Sequence, residues 1–347
     1  MESILVLTHV DETGSALTRG SLETVTAGKD LASRLCASLT IGILAADPNA
    51  VARVVASAGT RLLAVSGEAF AQPRYATDAA ACEALCRAAQ ATLVLAPSSS
   101  RFVRVAAGVA HRLGGHIDTH ITALGGGESG TAASIEATRW FYRQRIEAVI
   151  SREMRPWFLL LDAGTHVAFS GTPAPIEVEY VTAELPPLRT TVTGVRAPAP
   201  DVQTIHPDAR MLFVAGAGWT KKQPDGQVHP SEAGDLILGF LRATGASLGS
   251  SKSLVDQGTD NQPVLPFLTH MNQIGQTGAT PRHPKGLSTC CHGEEPHVVG
   301  WRFIGERRAI SLDPNCGWTR GKADVVYIAD AFQVIAKLNE LLGSNKP

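Results

Sequence analysis

The chain has 347 residues, which at roughly 150 residues per domain implies about two domains, each long enough to bury a core. Thirty-one Lys and Arg against 32 Asp and Glu leave a formal net charge of −1, which excludes a nucleic-acid binder working through a basic excess. Hydrophobic residues at 44% and charged residues at 18% exclude a disordered chain, and 33 Gly with 20 Pro fit a turn-rich α/β protein.

Residues 4–8 form a short apolar run that reads as a first strand. Glu2 stands where a secretion signal carries bases, and no apolar run approaches the roughly 20 residues that span a bilayer. A cytoplasmic chain without an integral membrane segment is expected. Residues 21–35 are helical, with Leu22, Val25 and Leu31 as core positions. Strands follow at 39–44 and 61–65, and an Ala-rich helix at 79–88. Its Cys82 and Cys86, four apart, share one face as small apolar fillers. Residues 92–95 are a buried type of strand, and residues 104–113 a helix closed by Gly114 and Gly115. Strands separated by helices imply βαβ units and a parallel sheet.

After residue 120 the rhythm changes. Residues 132–138, 141–150 and 157–162 read as consecutive strands that extend or close the sheet in antiparallel fashion. Gly125, Gly126 and Gly127 precede them as a plain turn, since no helix follows to bind an anion. Residues 184–208 hold five prolines and few apolar residues, and read as a stiff linker between domains at 1–183 and 209–347.

The second half opens with a strand at 211–214 and a glycine loop, Ala215-Gly216-Ala217-Gly218. Residues 231–244 form a helix whose Ala233, Leu236, Ile237, Phe240 and Leu241 share a face, with Ser231 as N-cap and Gly245 closing it. Residues 325–328 are a strand. Asp330 then leads a helix with Val334, Ile335, Leu338, Leu341 and Leu342 on one side.

Three segments carry chemistry. The glycine loop lacks the third glycine of a nicotinamide-dinucleotide fingerprint, but a turn offering backbone N–H groups to a phosphate stays open. In Ile274-Gly275-Gln276-Thr277-Gly278 two glycines bracket an amide and a hydroxyl, a pattern that lets backbone and polar groups approach a flat ligand. The run Cys290, Cys291, His292, Glu294, His297 has metal-ligand and thiol chemistry, at a spacing that fits no standard zinc pattern.

These segments resemble, in order, the C-terminal domain of the α subunit of electron transfer flavoproteins. Val214-Ala215-Gly216-Ala217-Gly218-Trp219 is similar to its VSGGRG turn, and Ser251-Lys252-Ser253-Leu254-Val255-Asp256 to its ASRxxVD segment. Residues 274–278 match GQTG, residues 292–297 the SGAIQH stretch, residues 310–313 INKD, and residues 329–332 the final ADLF. Arg104-Val105-Ala106-Ala107, Arg139-Trp140-Phe141-Tyr142 and Arg155-Pro156-Trp157-Phe158 resemble segments of the family's first domain.

The resemblance implies a fold and a function. The fold would be an N-terminal βαβ-type domain and a C-terminal doubly wound parallel-sheet domain that binds FAD. The chain would pair with a β subunit, take electrons from dehydrogenases and pass them to a quinone oxidoreductase, without substrate turnover of its own. The cofactor site would use Ser251, Lys252, Ile274, Gly275, Gln276, Thr277, His292, Gly293, His297, Ser311, Asp330 and Ala331. Thr277 would lie near the reactive edge of the flavin and Lys252 would stand in for a family arginine over it. His297 would sit at the pyrimidine end, and Asp330 near the ribose. Gly218 stands at another family arginine, Ser311 at an asparagine, and Glu294 and Glu295 add acid beside an anionic cofactor. Two other classes stay open: a structural subunit that has lost FAD, and a Cys/His redox or metal protein.

Overall fold

The computed structural model describes residues 2–59, 61–126, 135–141, 146–194, 205–206, 209–256, 263–275, 280–289, 304–314 and 323–344. It divides into two compact units, Met1–Arg196 and Ala197–Pro347. Each is a mixed α/β body built on its own sheet.

In the first unit the strands are β1 (Ser3–His9), β2 (Ser38–Leu44), β3 (Arg61–Val65), β4 (Leu93–Pro97), β5 (His116–Gly125), β6 (Glu136–Phe141), β7 (Ile146–Ile150), β8 (Trp157–Leu161) and β9 (Glu179–Tyr180). They form one sheet in the order β7-β6-β5-β8-β4-β1-β2-β3-β9. Helices α1 (Arg19–Leu35), α2 (Asn49–Val54), α3 (Tyr75–Ala88) and α4 (Ser100–Arg112) cover it. Alternation along β1 serves both faces. Ile4 and Val6 join Val25 and Leu31 of α1 in one core, while Leu5 and Leu7 join Leu85 of α3 and Val105 of α4 in the other. Cys82 and Cys86 pack in that second core, where burial pushes both thiols up.

The antiparallel expectation holds for β6 and β7 alone. Residues 157–161 do not continue that run: β8 inserts between β5 and β4 and is parallel to both. Its Trp-Phe-Leu-Leu-Leu sequence is apolar at every position because the strand is covered on both faces. Strand β5 carries a bulge between Asp118 and Ile121, with His120 at φ 59°.

The second unit holds β10 (Met211–Ala215), α5 (Pro230–Thr244), β11 (Ser247–Ser250), α6 (Lys252–Asp256), β12 (His283–Thr289), β13 (Ile304–Ser311), β14 (Val325–Ile328) and α7 (Ala331–Ser344). All five strands are parallel, in the order β11-β10-β12-β13-β14. Phe213 and Ala215 face α5 and α7, where Ile237, Phe240, Phe332 and Ile335 complete a core. Leu212 and Val214 face the other way, onto Ile274 and Ile304. Helix α5 begins one residue before the expected cap. Pro230 opens it after His229, so Ser231 lies inside the first turn. Gly245, at φ 66°, closes it through an N–H donated to Leu241 O.

Among the described residues no helix is long and apolar enough to cross a membrane.

Candidate site at the carboxyl edge of the second sheet

Ligands of open parallel sheets bind outside the carboxyl ends of the strands, where the strand order reverses. In the second unit the first strand, β10, has the second strand on one side and the third on the other, so the reversal lies between β10 and β12.

The ends of β11, β13 and β14 there carry residues picked out from the sequence. Strand β11 ends at Ser250, and Ser251 follows, its N–H donated to Ala215 O at 2.9 Å. The Ser251 hydroxyl accepts from Leu254 N at 3.3 Å and so begins α6. Lys252 is the first residue of that helix. Its ammonium lies 3.7 Å from Asp256, in a pair open to solvent on both sides. Segment 273–275 runs beside the end of β11: Gln273 bridges to Ser250, and Ile274 N–H donates to Ser250 O at 3.1 Å. That approach needs Gly249, since a Cβ there would stand 2.6 Å from Ile274 Cδ1. Gly275 turns the chain at φ 77°, and its N–H donates to Thr280 Oγ1.

On the other side of β10, Ser311 ends β13, buried, with its hydroxyl donated to Asp313 O at 3.1 Å. Ala329 N–H donates to Ser311 O. Asp330 follows β14 and caps α7 by accepting Phe332 N–H at 2.8 Å, and buried Ala331 opens that helix. Ser251, Lys252, Ile274, Gly275, Ser311, Asp330 and Ala331 therefore all lie at strand ends on one edge. Gln276, Thr277, His292, Gly293 and His297 lie outside the described residues, as do Cys290, Cys291 and Glu294.

The glycine loop after β10 does not offer the phosphate cradle left open by the sequence. Residues 216–220 are all buried, and Ala217–Thr220 form a 3₁₀ turn. Gly216 N–H donates to Thr289 O, Trp219 N–H to Gly216 O and Lys221 N–H to Gly218 O, so these amides are consumed within the fold. No helix follows until Pro230.

Sequence reasoning missed four residues at this edge. Ser250 Oγ, Gln273 Oε1 and Ser288 Oγ are buried without a hydrogen-bond partner among the described residues. Trp219 is fully buried, and its indole N–H donates to Thr289 Oγ1 at 2.8 Å. A tryptophan inside a glycine-rich turn was the available signal for the last of these.

The first unit has an equivalent reversal between β1 and β4, filled by its own side chains. His9 Nδ1–H donates to Val10 O at 2.8 Å, which leaves Nε2 to accept the Ser99 hydroxyl at 2.9 Å. Phe102 packs edge-on against the imidazole, and burial pushes the His9 pKa down. Farther along the sheet, Asp118 accepts from Arg139, Arg152 and Trp157 Nε1. Burial pushes its carboxyl up, but these hydrogen bonds outweigh it and hold it below the usual carboxylate range.

Comparison with known proteins bears on this first unit. No curated protein matches the chain. The electron transfer flavoprotein domain matches residues 6–187, within the first unit. Since that match takes in more than half of the 347 residues, the chain belongs to the electron transfer flavoprotein family.

Proposed function

We propose that the chain is the α subunit of an electron transfer flavoprotein, holding FAD at the carboxyl edge of its second sheet. Proteins of this family are electron carriers and generally bind flavin. In this reading the chain pairs with a β subunit, accepts electrons from dehydrogenases and delivers them to a quinone oxidoreductase. One observation carries the proposal: the described residues matched to the family's C-terminal motifs, distant in sequence, all lie on the carboxyl edge of one sheet, at the ends of β11, β13 and β14 and beside β11.

The residues present suit such a cofactor. Three buried polar atoms at this edge, on Ser250, Gln273 and Ser288, have no partner among the described residues, as expected where a polar ligand belongs. Gly249 and Gly275 let the 273–275 segment lie flat against β11. Ser251 and the 274–277 segment would hold the ring system. Asp330 uses Oδ1 to cap α7, and its carboxylate retains acceptor capacity for a ribose hydroxyl. Lys252 would set a cation beside the ring. Bound FAD supplies reversible electron uptake and release, and this chain's residues orient it and tune its affinity for electrons.

The test is the visible spectrum and flavin content of the chain purified with its companion subunit. The expected result is a yellow complex with one FAD per heterodimer. A folded, colourless heterodimer that takes up no added FAD would overturn the proposal and leave a structural subunit.

A further inference from the structure

Trp219 joins two strand ends and one helix start on the edge that holds the candidate site. It belongs to the turn after β10 and is fully buried. Its indole N–H reaches Thr289, the last residue of β12, at 2.8 Å. The Thr289 hydroxyl in turn donates to Val214 O of β10 at 3.1 Å. On its other side the indole packs against Phe332 in the first turn of α7, ring centroids 4.6 Å apart and tilted by 49°. Phe332 in turn donates its N–H to Asp330. One side chain thus fixes the end of β10, the end of β12 and the start of α7, across the point where the strand order reverses.

We infer that Trp219 is the positioning residue of the flavin site, an inference that rests on the function proposed above. It replaces a small residue: by the resemblance, Trp219 stands at the last glycine of the family's VSGGRG turn, one position after Gly218 takes the place of the arginine. The turn is buried, and the Gly216 and Trp219 amides bond within the fold, so it packs here as part of the protein wall. The indole sets where Thr289 stands relative to the start of α7 and its cap, Asp330. The indole N–H matters separately from the ring's bulk, because it is the group that reaches across to β12.

The experiment measures FAD dissociation constants, flavin absorption band shape and melting temperature for five proteins, each purified with the companion subunit. Trp219→Phe keeps the apolar bulk and removes the N–H. Thr289→Val removes the acceptor and Thr289→Ser keeps it. Trp157→Phe removes another buried indole bond, to Asp118 in the first unit, as a control for lost core stability. One buried hydrogen bond is worth enough to weaken FAD binding about fivefold to tenfold. Trp219→Phe and Thr289→Val are expected to show that loss with altered band shape. Thr289→Ser and Trp157→Phe are expected to bind as the wild type does. If Trp219→Phe and Thr289→Val melt lower but keep the wild-type constant and spectrum, Trp219 is a core residue only and the inference falls. It falls equally if Trp157→Phe weakens FAD as much, since affinity would then follow overall stability. A wild-type protein that takes no FAD overturns the flavin reading itself, a failure visible in the first arm.

Discussion

Lys252 shows what a single residue contributes and how it is tested. Its ammonium lies beside Asp256 with its side chain 58% exposed, so water screens it, and in the proposed site its pull on a flavin charge would be about 1 kcal/mol. For a one-electron couple that corresponds to about 40 mV. Lys252→Met is expected to lower the flavin potential by that order, measured by reductive titration, and Lys252→Arg to preserve it. An unchanged potential in the Met variant would mean that Lys252 does not face the flavin. His9 provides a second test, free of any cofactor. Burial holds His9 and His166 below the usual imidazole value, so the fold takes up their protons at lower pH than the unfolded chain, which takes them below about pH 6.5. Stability is therefore complete above that pH and declines as the pH falls through and below it. Urea unfolding at pH 7.5 and 5.5 should show that decline, and His9→Gln should make it smaller. An identical decline in the variant would show that His9 is not a source of it.

Helices α3 and α4 are joined by a buried ion pair as well as by apolar contacts. Arg101 reaches both carboxylate oxygens of Asp78, at 2.7 and 3.0 Å, and also donates to Phe70 O. The Asp78 side chain is fully buried. Removing one partner of such a pair typically costs about 3–5 kcal/mol, because the other charge stays buried and uncompensated. Arg101→Met should lose that much in urea unfolding, and adding Asp78→Asn should recover a large part of it. Equal losses in the single and double variants would count against the pair. At this scale the sequence was readable where each element has its own pattern. The apolar runs of β1 and β4 and the apolar face of α5 all survive in the fold. In the second sheet β10 and β14 were legible, but the three other strands did not declare themselves. Strand β11 is Ser-Leu-Gly-Ser, β12 includes His283, Pro284 and Lys285, and β13 includes Glu306, Arg307 and Arg308. They are strands because parallel neighbours complete their hydrogen bonds, and a single segment does not reveal its neighbours. Strand β8 was legible as a strand but not in its direction, because a run buried on both faces gives no sign of its partners.

For the molecule as a whole, the sequence supplied the α/β class of both halves and the order of the site motifs, but not their convergence. Ser251, Ser311 and Asp330 lie along one edge because parallel strands place all their carboxyl ends there, and that follows from topology alone. Trp219 stayed hidden for the same reason, since Thr289 is 70 residues away in the chain. We propose that residues 184–208 link two separately folded domains. Arg189 within that segment is exposed, and brief trypsin digestion should cut there first and leave two resistant fragments. First cuts within either sheet would argue against that division. The central claim is that the second sheet's carboxyl edge is the flavin site, and hydrogen–deuterium exchange with and without FAD tests it most directly. The account predicts slowed exchange on FAD addition in residues 216–220, 248–256, 272–280 and 328–332, with β1 and β4 of the first unit unchanged. Unaltered exchange in those segments while FAD is demonstrably bound would contradict it.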